Sequence, residues 1–156
     1  MSTQIETLIE EWERAKLGAQ DYLDAMPEEG FAFQPVPEVL SFAGQFLHLS
    51  YANYRFAAVG ANSPAAQLNE GPADKNPELQ SKAATTAYTL AAYDYMIAAI
   101  KAMDPATLDE EVLFVRWTLP RRVVLAKGLE HQVHHRGQAA VYFRLQGIKP
   151  PLEKLF

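Results

Sequence analysis

The sequence contains no cysteine among its 156 residues. The protein therefore has no disulfide, no thiolate metal ligand and no thiol nucleophile of its own, so any thiol chemistry requires an external thiol. The absence of cysteine also fits a reducing compartment. We expect the protein to be cytoplasmic.

Positive charge is scarce as well. Lys and Arg total 14 against 19 Asp and Glu, which gives a formal net charge of −5. Proteins that bind nucleic acids generically neutralise phosphates with clustered basic side chains. We therefore expect no nucleic-acid partner.

Long hydrophobic runs are also missing. The most apolar stretch, residues 90–100, is interrupted by Asp94 and falls short of the roughly 20 residues that a membrane span requires. The N-terminus lacks the basic start and apolar core of a signal peptide. We expect a soluble protein with no membrane partner. There is also no GxSxG, glycine-rich phosphate loop or suggestive carboxylate pair to support serine-hydrolase, nucleotide-binding or glycosidase chemistry.

Four long segments have apolar residues three or four positions apart, which is typical of amphipathic helices. A capping box at Thr3 and Glu6 begins the first helix, and Pro27 ends it. Ser41 is the expected N-cap of the second helix, which runs to about residue 59. Asn76 and the following proline begin the third, which ends near residue 103.

The fourth helix is predicted to open at Thr118 and Pro120 and to run to about Gln146. Before it, residues 111–117 (EVLFVRW) have the β-branched and aromatic composition of a short strand-like strap. Residues 27–40 and 62–76 are rich in breakers, so we expect an irregular connection and a long surface loop. The pattern predicts an all-α four-helix bundle forming a single domain over residues 1–156.

Three of the four histidines fall within the segment EHQVHHRGQ, residues 130–138. On a helix, His131 and His135 lie one turn apart on one face, together with Gln138 and Tyr142. Two imidazoles at this spacing can bind one metal ion, although such pairs are more often surface residues or hydrogen-bonded core residues. His134 lies about 100° around the helix, and we expect it to face solvent.

The fourth histidine, His48, lies on the second predicted helix between the small residues Gly44 and Ala52. If helices two and four pack face to face, His48, His131 and His135 converge on one cation. Three imidazoles suit Zn, Ni, Fe or Cu, and a fourth position left open marks a catalytic site. Three neutral ligands would leave the ion its full double charge, so it would act as a Lewis acid on water or a thiol.

The pattern HQVHHRGQAAVYFRLQGIKPP over residues 131–151, with His48 in a second helix after Ser41, resembles the DinB/YfiT-like superfamily of metal-binding four-helix bundles. The resemblance covers essentially the whole chain, and HxxxHRGQ at residues 131–138 is its most specific part. It implies an up-down-down-up bundle, frequent homodimers and a divalent ion, usually nickel or zinc. The resemblance also implies that His48, His131 and His135 are the metal ligands.

The best-understood members of that superfamily are thiol S-transferases and isomerases that use a low-molecular-weight thiol such as bacillithiol or mycothiol. The resemblance therefore implies a metal-dependent transferase that joins such a thiol to a small-molecule electrophile. Two alternatives stay open. One is a metal-dependent hydrolase, and the other is a non-catalytic, dimeric, stress-related binding protein with a structural metal.

Four further residues are candidates for catalysis or substrate binding. Gln138 could orient a metal-bound water or hydrogen-bond a ligating imidazole, or be an ordinary buried amide. Tyr51 and Tyr142 lie on the two ligand stripes and could donate a proton or line the pocket, or simply pack in the core. Arg55, on the His48 stripe, could anchor a substrate, although a solvated arginine is the default.

Overall fold

The structure is a computed structural model that describes residues 3–156. Met1 and Ser2, which belong to the predicted domain 1–156, lie outside the described residues. The main elements are four helices and one hairpin: α1 Gln4–Ala25, α2 Phe42–Gly60, α3 Lys82–Lys101, β1 Glu111–Phe114, β2 Trp117–Pro120 and α4 Arg121–Leu145. The prediction of a four-helix bundle is confirmed.

Helices α1 and α4 run parallel to each other. Trp12, early in α1, lies against Gly128, early in α4, and Tyr22 meets the ring of Phe143 edge-on near the other end of both helices, with ring centroids 5.5 Å apart. These contacts place the same end of each helix at the same end of the bundle.

The other two helices run in the opposite direction. The end of α2 at Gly60 lies beside Leu125, near the start of α4, while Gln45 at the start of α2 bonds Gln138 far along α4. Helix α3 is antiparallel to α1, since Lys101 at its end pairs with Glu13 and Lys82 at its start reaches the carbonyl of Met26. The order is up-down-down-up, as the resemblance implied.

Two of the predicted helix starts are confirmed. Thr3 and Glu6 form the reciprocal capping box of α1, and the Ser41 side chain accepts the Gly44 N–H of α2 at 3.0 Å. Each cap satisfies backbone donors that the first turn of a helix leaves unpaired.

The predicted start of the third helix is wrong by five residues, since the N-cap is Ser81 and not Asn76. Asn76 caps only a short 3-10 turn, Pro77–Leu79, and α3 begins after Ser81, whose side chain accepts the Ala84 N–H at 3.2 Å. Two N-cap signals follow each other here. The extended backbone of Ser81 (ψ 155°) separates the 3-10 turn from α3, so the helix begins only after Ser81. A serine side chain that bonds the backbone ahead of it favours this cap over helix interior.

The predicted start of the fourth helix is also displaced. Residues 111–117, the predicted strap, contain β1, the turn and the first residue of β2. Thr118 lies within β2, and the pairing sets Glu111 opposite Pro120 and Phe114 opposite Trp117. Helix α4 begins at Arg121, with Pro120 in an extended conformation as its N-cap. A proline at the end of an edge strand loses no ladder hydrogen bond, so the strand can run up to it.

The loop at residues 62–76 is more ordered than a surface loop would be. It forms two short 3-10 helices, Ala66–Glu70 and Ala73–Lys75, and buries Ala65 and Ala73. The connection at residues 27–40 likewise contains a 3-10 helix, Glu28–Ala32, and buries Phe31. Both connections cover the core, whose largest fully buried side chains include Trp12, Tyr93, Phe42, Phe46 and Phe143. Within residues 3–156, no helix is long and apolar enough to cross a membrane.

The close approach of α1 to α4 generates a prediction about stability. A Cβ at Gly128 would lie 2.9 Å from Trp12 Cζ2 and 3.1 Å from Phe56 Cγ, so Gly128→Ala must displace two buried rings. We expect a loss of about 1–2 kcal/mol in the free energy of unfolding, measured by chemical denaturation. Gly137 is the matched control, because nothing lies within 4 Å of its Cβ position on the same helix. Gly137→Ala should gain about 0.5–1 kcal/mol, and equal effects of the two substitutions would contradict the packing.

Candidate metal centre

His48, His131 and His135 come together between α2 and α4. Each offers one ring nitrogen to a group in which all three nitrogens lie within 4.8 Å of one another. The ring centroids are 4.6 Å apart for His48–His135 and His131–His135, and 5.4 Å apart for His48–His131. The antiparallel packing of α2 on α4 produces this arrangement, because it sets the second turn of α2 opposite the middle of α4.

The tautomer of His135 is fixed by a buried glutamine. Gln45 is 1% exposed, and its Nε2 donates to Gln138 Oε1 and to the Tyr142 hydroxyl, both at 3.0 Å. The Gln45 Oε1 therefore accepts from His135 Nδ1, at 2.7 Å. With its proton on Nδ1, the ring keeps a lone pair on Nε2, and a hydrogen-bonded second nitrogen is the usual condition of a metal-ligating histidine.

The Tyr142 hydroxyl completes this network. It accepts from Gln45 and donates to the Leu40 carbonyl at 2.7 Å. Each polar atom of the Gln45 side chain thus has a partner, and these hydrogen bonds determine which end of the amide faces His135. A satisfied buried network of this kind holds its members in one geometry.

His131 differs because its Nδ1 is buried and has no hydrogen-bond partner among the described residues. Buried polar atoms without a partner are rare. A cation held through that ring nitrogen would provide the partner that the protein does not, so this orphaned atom fits a bound metal ion.

A carboxylate lies beside the third ring. Asp74 Oδ1 is 3.7 Å from His48 Nδ1, and the Asp74 side chain is only 6% exposed although it belongs to the loop before α3. Its other oxygen lies 3.4 Å from Lys75 Nζ. At 3.7 Å the two atoms are too far apart for a hydrogen bond, so Asp74 contributes a nearly buried negative charge beside His48.

The two clustered histidines of α4, His131 and His135, are held uncharged at neutral pH. Burial, together with the neighbouring imidazoles His48 and His134, lowers the pKa of His131 to about 4. Burial is the largest cause, and the imidazoles of His131, His48 and His134 add to it, so the pKa of His135 is lowered to about 3. Metal ligation requires neutral imidazoles, so these two rings can bind a cation at neutral pH without first losing a proton.

The remaining sequence candidates take different positions. Tyr142 is buried in the network, so its hydroxyl supports Gln45 and does not face a substrate. Tyr51 is half-buried and its hydroxyl donates to the Leu68 carbonyl at 3.3 Å. Gln138 accepts from Gln45 Nε2 at 3.0 Å and lies 2.9 Å from the exposed His134 Nε2, and it forms no hydrogen bond with the three clustered rings. Arg55 is exposed on the same side of α2 as His48.

Two residues of the site have no clear signal in the sequence. Gln45 occupies the orienting position that the sequence suggested for Gln138; its place on the His48 stripe is visible, but its partner across the bundle is not. Asp74 lies in a segment without periodicity, and only the folded loop brings it to His48. His134 is exposed, as its position on the helix predicted.

The fold and the cluster together define a four-helix bundle with a three-histidine centre between its second and fourth helices. The model of the DinB family matches residues 1–154, and the chain belongs to this family. It is similar in structure to a DinB-like protein of Bacillus subtilis, with 15% identity, a TM-score of 0.76 and coverage of 95% of this chain and 98% of that one. A DinB-like protein of Bacillus cereus gives 19% identity, a TM-score of 0.78 and coverage of 93% and 94%. At these identities the likeness shows a shared fold. No curated protein matches the chain.

The lowered pKa values predict how the metal-free protein responds to acid. In the unfolded chain both imidazoles titrate near about 6.5, whereas in the fold the pKa of His131 is about 4 and that of His135 about 3. Between these values the unfolded state binds more protons, so the free energy of unfolding falls as the pH is lowered from about 6.5 towards 4. Urea denaturation of chelator-treated protein at pH 7.5 and pH 5 measures this loss. His135→Gln should reduce it and His134→Gln should not; an identical loss in all three proteins would contradict the assignment.

Proposed function

We propose that this protein is a metal-dependent enzyme in which His48, His131 and His135 hold one divalent cation, zinc or nickel. The observation that carries the proposal is the convergence of three imidazoles, two of them with pKa values far below neutrality, on one point between α2 and α4. Nitrogen ligands of this kind suit zinc and nickel, and three protein ligands leave a fourth position open for a reactant.

The side chains around the cluster would prepare it for this role. Gln45 holds the proton of His135 on Nδ1, so Nε2 is free for the ion. Asp74 places a carboxylate oxygen 3.7 Å from His48 Nδ1, and its negative charge would favour a cation nearby. A cation bound by neutral imidazoles keeps its double charge, and the chemistry it supplies is Lewis acidity that lowers the pKa of a thiol or a water molecule.

The reaction we favour is the transfer of a low-molecular-weight thiol to a small-molecule electrophile. The chain has no cysteine, so the sulfur nucleophile must come from a cosubstrate. The thiol gives up its proton, and its sulfur forms a bond to the electrophilic carbon. The leaving group departs with the electron pair of the broken bond and takes up a proton from solvent, which has received the proton of the thiol. The resemblance to thiol S-transferases is the reason for preferring a thiol to water. Together with the lack of cysteine, it supports a reducing, cytoplasmic location.

Hydrolysis is the alternative reaction at the same site, with water in place of the thiol. A non-catalytic binding bundle with a structural metal is the alternative of another class. The exposure of His48, whose side chain is 41% accessible, favours catalysis, because a structural site has no need of an opening to solvent.

The first test is metal content. Wild-type protein purified without an affinity tag should contain about one zinc or nickel ion per chain by elemental analysis. The triple variant His48→Ala, His131→Ala, His135→Ala should contain none. The metal-loaded wild type should then join a thiol to a chromogenic electrophile faster than the variant does, while conversion without thiol indicates the hydrolase. Absence of metal in both proteins would leave the non-catalytic bundle.

A graded variant tests the positioning network in the same assay. Gln45→Leu removes the acceptor of the His135 proton and should weaken metal binding about 10–100-fold, measured by competition with a chromogenic chelator. Gln20→Leu on α1 is the control, because Gln20 is half-buried and lies on a helix that carries none of the three histidines. Equal metal affinity in the two variants would contradict the role of Gln45 in positioning His135.

We also propose that the protein forms a homodimer through the outer side of α4. Three large apolar side chains of this helix are exposed, Val133 at 51%, Val141 at 51% and Leu145 at 59%. Val141 and Leu145 are one helical turn apart, so their side chains adjoin, and contiguous exposed apolar patches mark interaction sites. Sedimentation equilibrium should give a dimer for the wild type and for Val36→Glu, a control at an exposed loop valine, but a monomer for Val141→Glu. A monomeric wild type would overturn this proposal.

A further inference from the structure

A pocket of about 170 Å³ lies directly beside the three-histidine cluster. We call it the hairpin pocket, because the turn of the β1–β2 hairpin closes one side of it. The residues that line it are His48, Tyr51, Ala52, Arg55, Phe56, Phe114, Val115 and His131. Two of these belong to the proposed metal centre, so a molecule in the pocket contacts the centre. A cavity of about 150 Å³ is large enough for benzene, so the pocket suits a body of one ring.

Much of the pocket wall is apolar and well packed. The rings of Phe56 and Phe114 stack with centroids 4.7 Å apart and an interplanar angle of 18°. Phe56 is 7% exposed, and its ring lies 5.8 Å from that of His131. This wall connects the hairpin to the cluster and offers an apolar surface to a bound molecule.

Arg55 supplies the cationic group of the pocket. No residue within 3–156 forms an ion pair or hydrogen bond with its guanidinium, whereas the nearby Arg121 and Arg122 pair with Glu110 and Asp109 at 3.1 and 2.6 Å. The two helical turns between His48 and Arg55 place them on the same side of α2. An uncommitted guanidinium at the pocket is available for a carboxylate, whose two oxygens match its fork.

Val115 is held at the pocket in a costly backbone conformation. Its φ is +58°, in the left-handed region that β-branched residues avoid. Such a conformation is destabilising for a β-branched residue, and conformations of this kind are concentrated at functional sites. Glycine or asparagine would close this hairpin turn without that cost. Here the turn instead carries a valine that is 62% exposed and lines the pocket.

We propose that the hairpin pocket selects small organic carboxylates that carry an apolar body about the size of one ring. The carboxylate pairs with Arg55, the apolar body lies against Phe114 and Val115, and the other end of the molecule reaches His48 and His131. This assignment rests on the proposed function for the reaction itself, but it names the class of electrophile that the enzyme accepts.

The size and chemistry of the pocket favour such a carboxylate over other anions. A nucleotide or a peptide exceeds the volume, and inorganic phosphate has no apolar part to use the aromatic wall. A neutral ring compound would fill the same space but leave the guanidinium without a partner. Recognition therefore requires both a carboxylate and an apolar body, as specific binding sites combine an apolar lining with few polar anchors.

The test is a binding titration with benzoate as the probe. It is carried out on zinc-loaded and on chelator-treated protein, and NMR or calorimetry measures the binding. Benzoate should bind wild-type protein in both forms, at least fivefold more tightly than benzamide. Arg55→Gln should weaken benzoate binding about fivefold or more, as expected for loss of a charge-assisted contact, and leave benzamide unchanged. Inorganic phosphate alone should not compete.

Two variants serve as controls. Arg116→Gln removes an exposed arginine of the same hairpin, one that lies over the Trp117 ring at 4.4 Å, and should leave benzoate affinity unchanged. Val115→Gly relieves the backbone conformation and removes the apolar contact, so it should maintain or raise the melting temperature while weakening benzoate. Equal affinities in Arg55→Gln and wild type, or equal binding of benzamide and benzoate, would overturn the proposal.

The two forms of the protein separate this inference from the proposed function. If the wild-type protein contains no metal but binds benzoate in an Arg55-dependent way, the pocket assignment is supported and the proposed metal-dependent reaction is contradicted. The opposite result is one metal ion per chain, with a benzoate affinity that Arg55→Gln does not change and that is lost on chelation. It would support the metal centre and contradict the pocket assignment, because the carboxylate would then be binding the ion.

Discussion

The buried amide of Gln45 is the constraint on which the site depends. An amide that is 1% exposed must have its donors and its acceptor satisfied, because each unpaired group would cost about 1–3 kcal/mol. Its partners are His135, Gln138 and Tyr142, all on α4. These bonds set the register of α2 against α4. A shift of one turn between the helices would break all of them and would also separate His48 from the two histidines opposite it.

The cost of gathering three imidazoles also follows from this packing. Rings with centroids 4.6 to 5.4 Å apart repel one another when protonated, and burial adds to that penalty. The fold avoids the penalty by keeping His131 and His135 neutral, with pKa values of about 4 and 3. The condition that makes the cluster stable without a cation is therefore the same condition that prepares it to bind one.

Local patterns predicted much of the fold and part of the site. Helical spacing placed His131 and His135 on one face, and the caps at Thr3 and Ser41 marked two helix starts, because these signals act within one turn. The errors lie where two local signals compete, as at Asn76 and Ser81, or where a proline ends a strand as well as beginning a helix. Asp74 could not be predicted, since its place beside His48 depends on how a loop without periodicity folds over α2.

The hairpin shows why a bundle of this kind needs more than its four helices. The helices fix the histidines on a partly open surface between α2 and α4, but they leave one side of the cluster without a wall. The hairpin provides that wall through the stacking of Phe114 on Phe56 and through Val115. It is joined to α4 by Pro120 without an intervening loop, so the position of its turn is tied to the helix that carries His131 and His135. The helices thus position the three histidines, while the hairpin forms one wall of the pocket beside them.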